Sequence, residues 1–173
     1  MKTIHFDEIC STQDEAKRIV SSEGQKCSSV LIAEYQTKGK GTHGRVWESE
    51  KGKNILMTII LYPECNIREL EGLTLKIAQN IVEIIKELYD IELSIKEPND
   101  IILNGKKLGG ILTETQVMNE QVKNLLIGIG LNVNQEEFSG NLNATSLKKE
   151  FKKEFNKQDI IDKIIQKTEQ SDQ

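Results

Sequence analysis

The chain has 173 residues, enough for one compact domain with a hydrophobic core but too few for two large domains. Apolar residues make up 37% and charged residues 29%, an ordinary globular mixture. The net charge of −4 argues against a nucleic-acid partner, because proteins that bind nucleic acid usually carry a basic excess. We therefore expect a single domain over residues 1–173.

Cysteines and histidines are few and scattered. The three cysteines form no close pair, and His5 and His43 lie far apart, so the sequence indicates neither a disulfide framework nor a structural zinc site. Lone cysteines fit a reducing compartment. The N-terminus lacks an apolar signal segment, and the longest apolar run, residues 55–61, is too short to span a bilayer. These features predict a cytoplasmic protein with no membrane partner.

The first predicted helix opens at Ser11. Thr12 and Glu15 have the spacing of a capping box, in which each side chain bonds to the backbone of the other residue. An apolar stripe follows, and Gly24 is a helix stop signal.

Two apolar runs, Ser29–Glu34 and Asn54–Tyr62, are rich in β-branched residues and predict buried strands. Residues 36–53, between them, are rich in glycine and lysine and predict a long loop. Long loops inside compact domains usually serve a function.

Residues 67–89 form the clearest predicted helix, because apolar side chains recur there at spacings of three and four. A strand is predicted at 91–96. Residues 145–155 and 159–166 have helical patterns, so that 145–173 reads as a short helical C-terminal extension.

The sequence Asn104-Gly105 predicts a hairpin turn between residues 99–103 and 107–116, since both turn positions favour positive φ. A further strand at 122–133 contains Gly128 and Gly130, and glycines inside a strand often mark a close approach of the backbone to a ligand. The elements together predict an α+β domain, a mixed β-sheet with helices packed mainly on one face.

The segment Gly39–Gly44 matches the dinucleotide fingerprint G-x-G-x-x-G as a string. No helix start follows it, however, so a Rossmann site is not indicated. A Walker A loop would need Lys and then Ser or Thr where Arg45-Val46 stand, and the other protein-kinase motifs are missing. Glycine N–H groups, nearby cations and the flat face of Trp47 suit a nucleotide and a second anion. The alternative is a mobile surface hairpin with solvated charges.

Three later segments carry polar residues at strand boundaries or inside strands. Lys96–Asp100 alone reads as a good turn, and Lys107–Leu112 alone as a hairpin strand with an ordinary lysine. In Gly128–Asn134, polar Asn132 stands between apolar neighbours, so it must be hydrogen-bonded if it is buried. An amide edge of this kind can also read an adenine.

In order along the chain, these segments resemble the catalytic domain of biotin protein ligases. The family pattern is Ser-Thr-Asn, then Gln-x-x-Gly-Arg-Gly-Arg-x-Gly-Arg-x-Trp, Lys-Trp-Pro-Asn-Asp, Lys-Leu-x-Gly-Ile-Leu and Gly-x-Gly-x-Asn. The corresponding segments here are Ser11–Gln13, Gln36–Trp47, Lys96–Asp100, Lys107–Leu112 and Gly128–Asn132. Single motifs are weak, but the ordered set is specific, and it covers residues 11–147.

The resemblance implies a fold of the class II aminoacyl-tRNA-synthetase type and a two-step reaction. Biotin attacks the α-phosphate of Mg²⁺–ATP to give biotinyl-5′-AMP, which a lysine of a biotin carboxyl carrier domain then attacks. Both substrates are anionic, which explains the fixed cations and backbone N–H groups. Members often dimerise through the sheet, so the resemblance also allows a homodimer.

Residue roles follow from the same resemblance. Lys107 and Arg45 are the implied catalytic cations, with Lys107 bridging the biotin carboxylate and the α-phosphate. The implied biotin-binding residues are Ser11, Thr12, Gln13, Gln36, Gly39, Lys40, Gly41, Thr42, Lys107, Gly110 and Leu112. The implied ATP- and adenylate-binding residues are Lys40, Arg45, Trp47, Asn99, Asp100, Lys107 and Asn132. No direct metal ligation by the protein is expected, because Mg²⁺ arrives on the ATP phosphates.

Four residues depart from the family pattern. Lys40 and Thr42 replace two arginines, Glu97 replaces tryptophan and Gln13 replaces asparagine. Because Thr42 removes a positive charge from the loop over the adenylate, we hypothesise that biotinyl-AMP is held less tightly than in a member with both arginines. Two alternatives stay open, a lipoate-type acyl-adenylate ligase and a degenerate protein that binds biotin or biotinyl-AMP without transferring it.

The resemblance also bears on domain organisation. The ten residues before Ser11 are too few for the winged-helix DNA-binding domain of repressor-type members. The residues after Leu147 are too few for the small β-barrel that commonly follows the catalytic core. We therefore expect a catalytic core without either domain, or one that is truncated at its C-terminal end.

Overall fold

The structure is a computed structural model that describes residues 1–22, 24 and 26–171. Within these residues the strands are β1 Lys2–Phe6, β2 Ser29–Ala33, β3 Ile55–Leu61, β4 Ser94–Lys96, β5 Asp100–Leu103, β6 Lys106–Met118 and β7 Gln121–Leu131. The helices are α1 Thr12–Ser21, α2 Leu73–Tyr89, α3 Leu147–Phe151 and α4 Lys157–Ser171, with 3-10 turns at Thr42–Gly44 and Ile67–Leu70.

The strands form one mixed sheet in the order β1-β2-β3-β7-β6-β5-β4. Only β1 and β2 pair in parallel, and the remaining neighbours are antiparallel. The predicted hairpin between β5 and β6 is present, with positive φ at both Asn104 and Gly105. The prediction of an α+β domain built on a mixed sheet is confirmed.

Helices cover the two faces of the sheet unequally. Helices α2 and α4 pack on one face, against β3 side chains such as Met57 and Ile59. Helix α1 covers part of the other face, where Ala16 contacts Leu31, Ile60 and Leu126. Each fully buried aliphatic side chain stabilises this arrangement by about 1.5–3 kcal/mol. The helices therefore lie mainly on one face, as predicted, and the face beside α1 remains partly open.

The start of α1 differs from the prediction. Ser11 is the N-cap residue, and its Oγ accepts a hydrogen bond from the Asp14 N–H at 3.3 Å. Thr12 is already helical, so the predicted capping box between Thr12 and Glu15 is wrong. The capped first turn of α1 borders the open face of the sheet.

Three predicted helices are shorter than expected. Helix α1 ends before Gly24. The predicted helix 67–89 is divided, because Gly72 has a φ of 75° and separates a 3-10 turn from α2. The predicted helix 145–155 contracts to α3, since Lys152 has a φ of 58° and ends it. Left-handed residues of this kind commonly terminate helices.

The predicted strands also need two corrections. The sequence does not predict β1, which lies at the edge of the sheet and is mostly exposed, so its apolar alternation is too short to recognise. The predicted strand 91–96 contracts to β4. In the part of the chain that the structure describes, no helix has the length and apolar character needed to cross a bilayer.

Candidate functional site

A cleft of about 470 Å³, part of it open to solvent, lies on the face of the sheet beside α1. Its walls come from the first turn of α1, the segment after β2 and the central strands β3, β6 and β7. The predicted site residues that line it are Ser11, Thr12, Gln13, Gln36, Lys40, Gly41, Thr42, Trp47, Asn99, Lys107, Gly110 and Leu112. Segments far apart in the sequence therefore meet at one place.

The inner end of the cleft is a buried polar network, which we call the polar floor: Thr12, Gln13, Gln36 and Thr58. The Thr12 N–H and hydroxyl donate to Gln36 Oε1 at 2.8 and 3.1 Å. Thr58 Oγ1 lies 2.9 Å from Thr12 Oγ1 and 3.1 Å from Gln13 Oε1, within donating distance of both. All four residues are at most 9% exposed. The floor thus has a defined geometry before any ligand is present.

Thr58 is a site residue that the sequence analysis missed. It lies in the middle of β3, is fully buried and points its hydroxyl into the floor. A single polar residue inside an otherwise apolar strand was the available signal, because such a residue needs a hydrogen-bond partner. The strand pattern alone does not say which partner that is.

Glycines on β6 and β7 make room for two of the site side chains. A Cβ on Gly128 would lie 2.6 Å from Gln13 Oε1, and a Cβ on Gly130 would lie 2.7 Å from Trp47 Cε2. Gly110 pairs with Gly130 across the two strands and borders the same indole ring. The groups that come close to these glycines are side chains of the protein itself, and the predicted approach of a ligand stays a prediction.

The outer end of the cleft carries positive charge and an aromatic ring. Lys107 Nζ lies 3.0 Å from Asp100 Oδ1 and 5.4 Å from the centroid of the Trp47 ring. The Lys107 backbone is held on both sides by residues 143–145, since its N–H donates to the Asn143 carbonyl and its carbonyl accepts from the Thr145 N–H, each at 2.9 Å. The backbone of Lys107 is therefore fixed, while its side chain is one-third exposed.

The predicted long loop contains a short hairpin over residues 39–47. The Trp47 N–H donates to the Gly39 carbonyl at 2.9 Å, and the Gly41 N–H donates to the Arg45 carbonyl at 2.8 Å. This pairing places the Trp47 ring against the sheet, while the Arg45 side chain is exposed on the outer side of the hairpin. Within the described residues, the Arg45 guanidinium forms no ion pair.

Four predicted site residues do not line the cleft. Gly39 is buried against the Trp47 carbonyl, Arg45 is exposed, and Asp100 stands beside Lys107. Asn132 is buried behind the cleft, and its Nδ2 donates to the Thr145 carbonyl at 3.1 Å.

The segment bordering Lys107 has its own anchor. Glu150 Oε1 accepts from the Thr145 hydroxyl at 2.5 Å, and Glu150 Oε2 accepts from Asn104 Nδ2 at 2.8 Å. These bonds stabilise the carboxylate, so the pKa of Glu150 is lowered.

In the described part of the chain, no three His, Cys, Asp or Glu side chains gather as a metal site would require.

Comparison with known proteins gives a consistent result. Residues 6–132 match the model of the biotin/lipoate A/B protein ligase family. The bifunctional ligase/repressor BirA of Bacillus subtilis is 37% identical over 166 residues, covering 94% of this chain and 51% of the relative. Human biotin–protein ligase is 33% identical over 167 residues, covering 91% of this chain and 22% of its own length. The chain therefore spans about half or less of these two relatives.

Solved structures agree in fold. A biotin protein ligase from Aquifex aeolicus in complex with biotin and ATP superposes with a TM-score of 0.77 at 29% identity, covering 95% of this chain and 67% of that one. A biotin protein ligase from Leishmania major in complex with biotinyl-5-AMP gives a TM-score of 0.76 at 28% identity, covering 94% and 71%. The family model spans well over half of the sequence, and the chain therefore belongs to the biotin/lipoate A/B protein ligase family.

Proposed function

We propose that this chain activates biotin with Mg²⁺–ATP as biotinyl-5′-AMP and transfers the biotinyl group to a lysine of a carrier domain. One observation carries the proposal. A single cleft has a buried, neutral polar floor at its inner end and a lysine and an indole ring at its outer end. Biotin combines a neutral cyclic urea with a carboxylate, and ATP combines a flat base with phosphates. The cleft offers a complementary group for each of these parts.

In the first step, a biotin carboxylate oxygen attacks the α-phosphorus and pyrophosphate leaves with the bonding electrons. Two anions must approach each other, so a nearby cation lowers the barrier. Lys107 suits this task because its backbone is fixed while its ammonium group lies at the outer end of the cleft. Its pairing with Asp100 orients the ammonium until the anions arrive. Mg²⁺ enters as part of the nucleotide substrate.

In the second step, the neutral amine of the carrier lysine attacks the carbonyl of the mixed anhydride. The new amide loses a proton, and AMP leaves as the phosphate monoester. We propose the carrier domain of a biotin-dependent carboxylase as the acceptor. The three free cysteines support a reducing compartment such as the cytoplasm for this reaction.

The polar floor favours biotin over lipoate as the substrate. The dithiolane ring of lipoate offers no strong hydrogen-bonding groups, so it could make no further hydrogen bonds to the amide groups of Gln13 and Gln36, which already bond within the protein. A cyclic urea, in contrast, provides two N–H donors and a carbonyl acceptor. The same argument makes the floor a selective element between the two branches of the family.

Biotin-dependent exchange of labelled pyrophosphate into ATP tests the proposal directly, because it needs only the first step. We expect exchange with biotin and none with lipoate. Lys107→Ala should reduce the exchange rate by about 100-fold or more, as removal of a fixed electrostatic donor commonly does. Lys106→Ala is the matched control, since this neighbouring lysine only approaches Glu150 at 3.9 Å.

Two results would contradict the proposed function, and a third would contradict the role of Lys107. Exchange with lipoate but not with biotin would move the chain to the other branch of the family. Biotin binding without any exchange would indicate a binding protein instead of a ligase. Full activity in Lys107→Ala would remove the role assigned to that lysine.

A further inference from the structure

A carboxylate outside the cleft contacts the polar floor. Glu114 on β6 lies beneath α1, and its Oε2 accepts a hydrogen bond from Gln13 Nε2 at 2.7 Å. Its other oxygen, Oε1, pairs with Lys17 Nζ at 2.8 Å. Gln13 and Lys17 are one helical turn apart, so they reach Glu114 from the same face of α1. Glu114 itself does not line the cleft.

The contact determines which way the Gln13 amide points. A glutamine side chain has an acceptor oxygen and a donor nitrogen, and an ionised carboxylate can only accept. Glu114 therefore selects the orientation with Nε2 towards itself and Oε1 towards Thr58 and the cleft. The reversed amide would bring Gln13 Oε1 against Glu114 Oε2, where two acceptors would repel each other.

Two further features agree with this orientation. The Thr58 hydroxyl is within donating distance of Gln13 Oε1, at 3.1 Å. Gly128 leaves the space that the oxygen occupies, because a Cβ there would lie only 2.6 Å from it. Carboxylate, hydroxyl and glycine thus act on the same amide from three sides.

We propose that Glu114, held in place by Lys17, is a positioning residue that keeps the Gln13 amide oxygen facing the cleft. The pocket then presents an acceptor to an N–H group of the substrate ring. This inference rests on the proposed function, since it takes the cyclic urea of biotin as the ligand. Glu114 acts through Gln13 and does not touch the substrate.

A double-mutant cycle in the pyrophosphate-exchange assay tests this coupling. Glu114→Ala should raise the KM for biotin about 3- to 10-fold and leave the KM for ATP within about twofold, since a hydrogen bond to a charged group is lost. In a Gln13→Ala background, the same substitution should raise the KM for biotin less than twofold. Equal factors in the two backgrounds, or equal rises in both KM values, would overturn the proposal.

Two other variants separate orientation from general stability. Lys17→Ala leaves the bond between Gln13 and Glu114 in place, so we expect a smaller rise in the biotin KM than in Glu114→Ala. Glu15→Ala is the matched control, because it removes the ion pair with Arg18 on the same helix, away from the floor. A rise in the biotin KM in Glu15→Ala as large as in Glu114→Ala would also overturn the proposal.

A measurement without substrate distinguishes failure of this inference from failure of the proposed function. The side-chain NH₂ resonances of Gln13 can be assigned in ¹⁵N–¹H spectra by their loss in Gln13→Ala. They should shift in Glu114→Ala and stay in place in Glu15→Ala. If they do not move in Glu114→Ala, the positioning role is wrong. If they move while the wild-type protein shows no biotin-dependent exchange, it is the proposed function that fails.

Discussion

The two ends of the cleft are built on different principles. The polar floor is buried, and each of its side chains is hydrogen-bonded to another member. The outer end, which we call the cation rim, consists of Lys40, Trp47 and Lys107. The side chains of Lys40 and Lys107 are 46% and 33% exposed. The floor is satisfied within the protein, whereas the rim still faces solvent.

Physical chemistry explains the difference. Neutral polar groups can be buried at little cost when they pair with one another. Charged groups lose a large hydration energy on burial, so they stay near water until an opposite charge replaces it. We therefore expect the floor to recognise its ligand with a preformed geometry. The rim should gain most of its contacts when an anion arrives.

The largest expected effect that separates the two ends comes from Gly130→Ala. The added methyl would lie 2.7–3.0 Å from three atoms of the indole, so the Trp47 ring must leave its place beside Lys107. Loss of a stacking face commonly costs about 1–3 kcal/mol, which predicts a rise in the KM for ATP of roughly tenfold. Steady-state exchange kinetics with each substrate varied in turn would measure it.

Gly140→Ala is the control for this variant, because a Cβ at that glycine would meet no atom within 4 Å. Combining Gly130→Ala with Trp47→Ala should be no worse than Trp47→Ala alone, since the colliding ring is then absent. An additive loss would show that the substitution acts by another route.

Gly128→Ala should produce the complementary effect at the floor. Its methyl would collide with Gln13 Oε1 and displace the amide. We expect the KM for biotin to rise about 5- to 10-fold, with a much smaller change in the KM for ATP. If Gly128→Ala and Gly130→Ala each raise the KM for biotin and the KM for ATP by similar factors, the floor and the rim are not separate units.

The hydrophobic framework and the local turns were predictable from the sequence, because their signals are short-range. The apolar periodicity of α2 and the turn at Asn104-Gly105 each depend on neighbouring residues alone. The division at Gly72 was not predicted, since a glycine beside a helical pattern is ambiguous until its φ is known. Edge strand β1 was also not predicted, because most of its side chains are exposed and its sequence therefore has no clear alternation of apolar and polar residues.

The cleft was predictable as a set of motifs but not as a network. The motif residues do line a common cleft, yet Thr58 and Glu114 were absent from the prediction. Glu114 is 101 positions from Gln13 along the chain. The two residues meet only because β6, as a strand of the sheet, carries Glu114 to the side on which α1 lies. Contacts of this kind depend on register, which periodicity does not specify.

Thr58→Val should have a moderate effect, confined to the floor. The valine has nearly the same shape but cannot donate, so whichever oxygen of Thr12 or Gln13 accepts the single Thr58 hydroxyl proton loses its donor. An unsatisfied buried acceptor costs about 1–3 kcal/mol, and we expect the KM for biotin to rise about fivefold with some loss of unfolding free energy. Isothermal titration with biotin and denaturant unfolding would measure the two effects.

Thr113→Val provides the matched control for this prediction. Thr113 also bonds to another threonine, with 2.7 Å between its hydroxyl oxygen and that of Thr74, but on the α2 side of β6. It should lower the stability without changing biotin affinity. Equal losses of biotin affinity in both valine variants would mean that the Thr58 hydroxyl has no special role in the cleft.

The smallest expected effect concerns the rim, and it tests the hypothesis that this chain retains its adenylate weakly. Thr42 lines the cleft in the turn of the hairpin where the family pattern has an arginine. Thr42→Arg adds a cation to the outer end of the cleft, where we propose that the phosphates bind, and an exposed charge pair is worth about 0.2–1 kcal/mol. Dissociation of biotinyl-AMP should therefore slow by about two- to fivefold, while the KM for biotin in the exchange reaction stays the same.

His43→Arg adds a similar charge on the exposed side of the same turn and should leave dissociation unchanged. Slow dissociation from the wild-type protein that Thr42→Arg does not alter would contradict the hypothesis, because the missing arginine would then make no difference to how the intermediate is held.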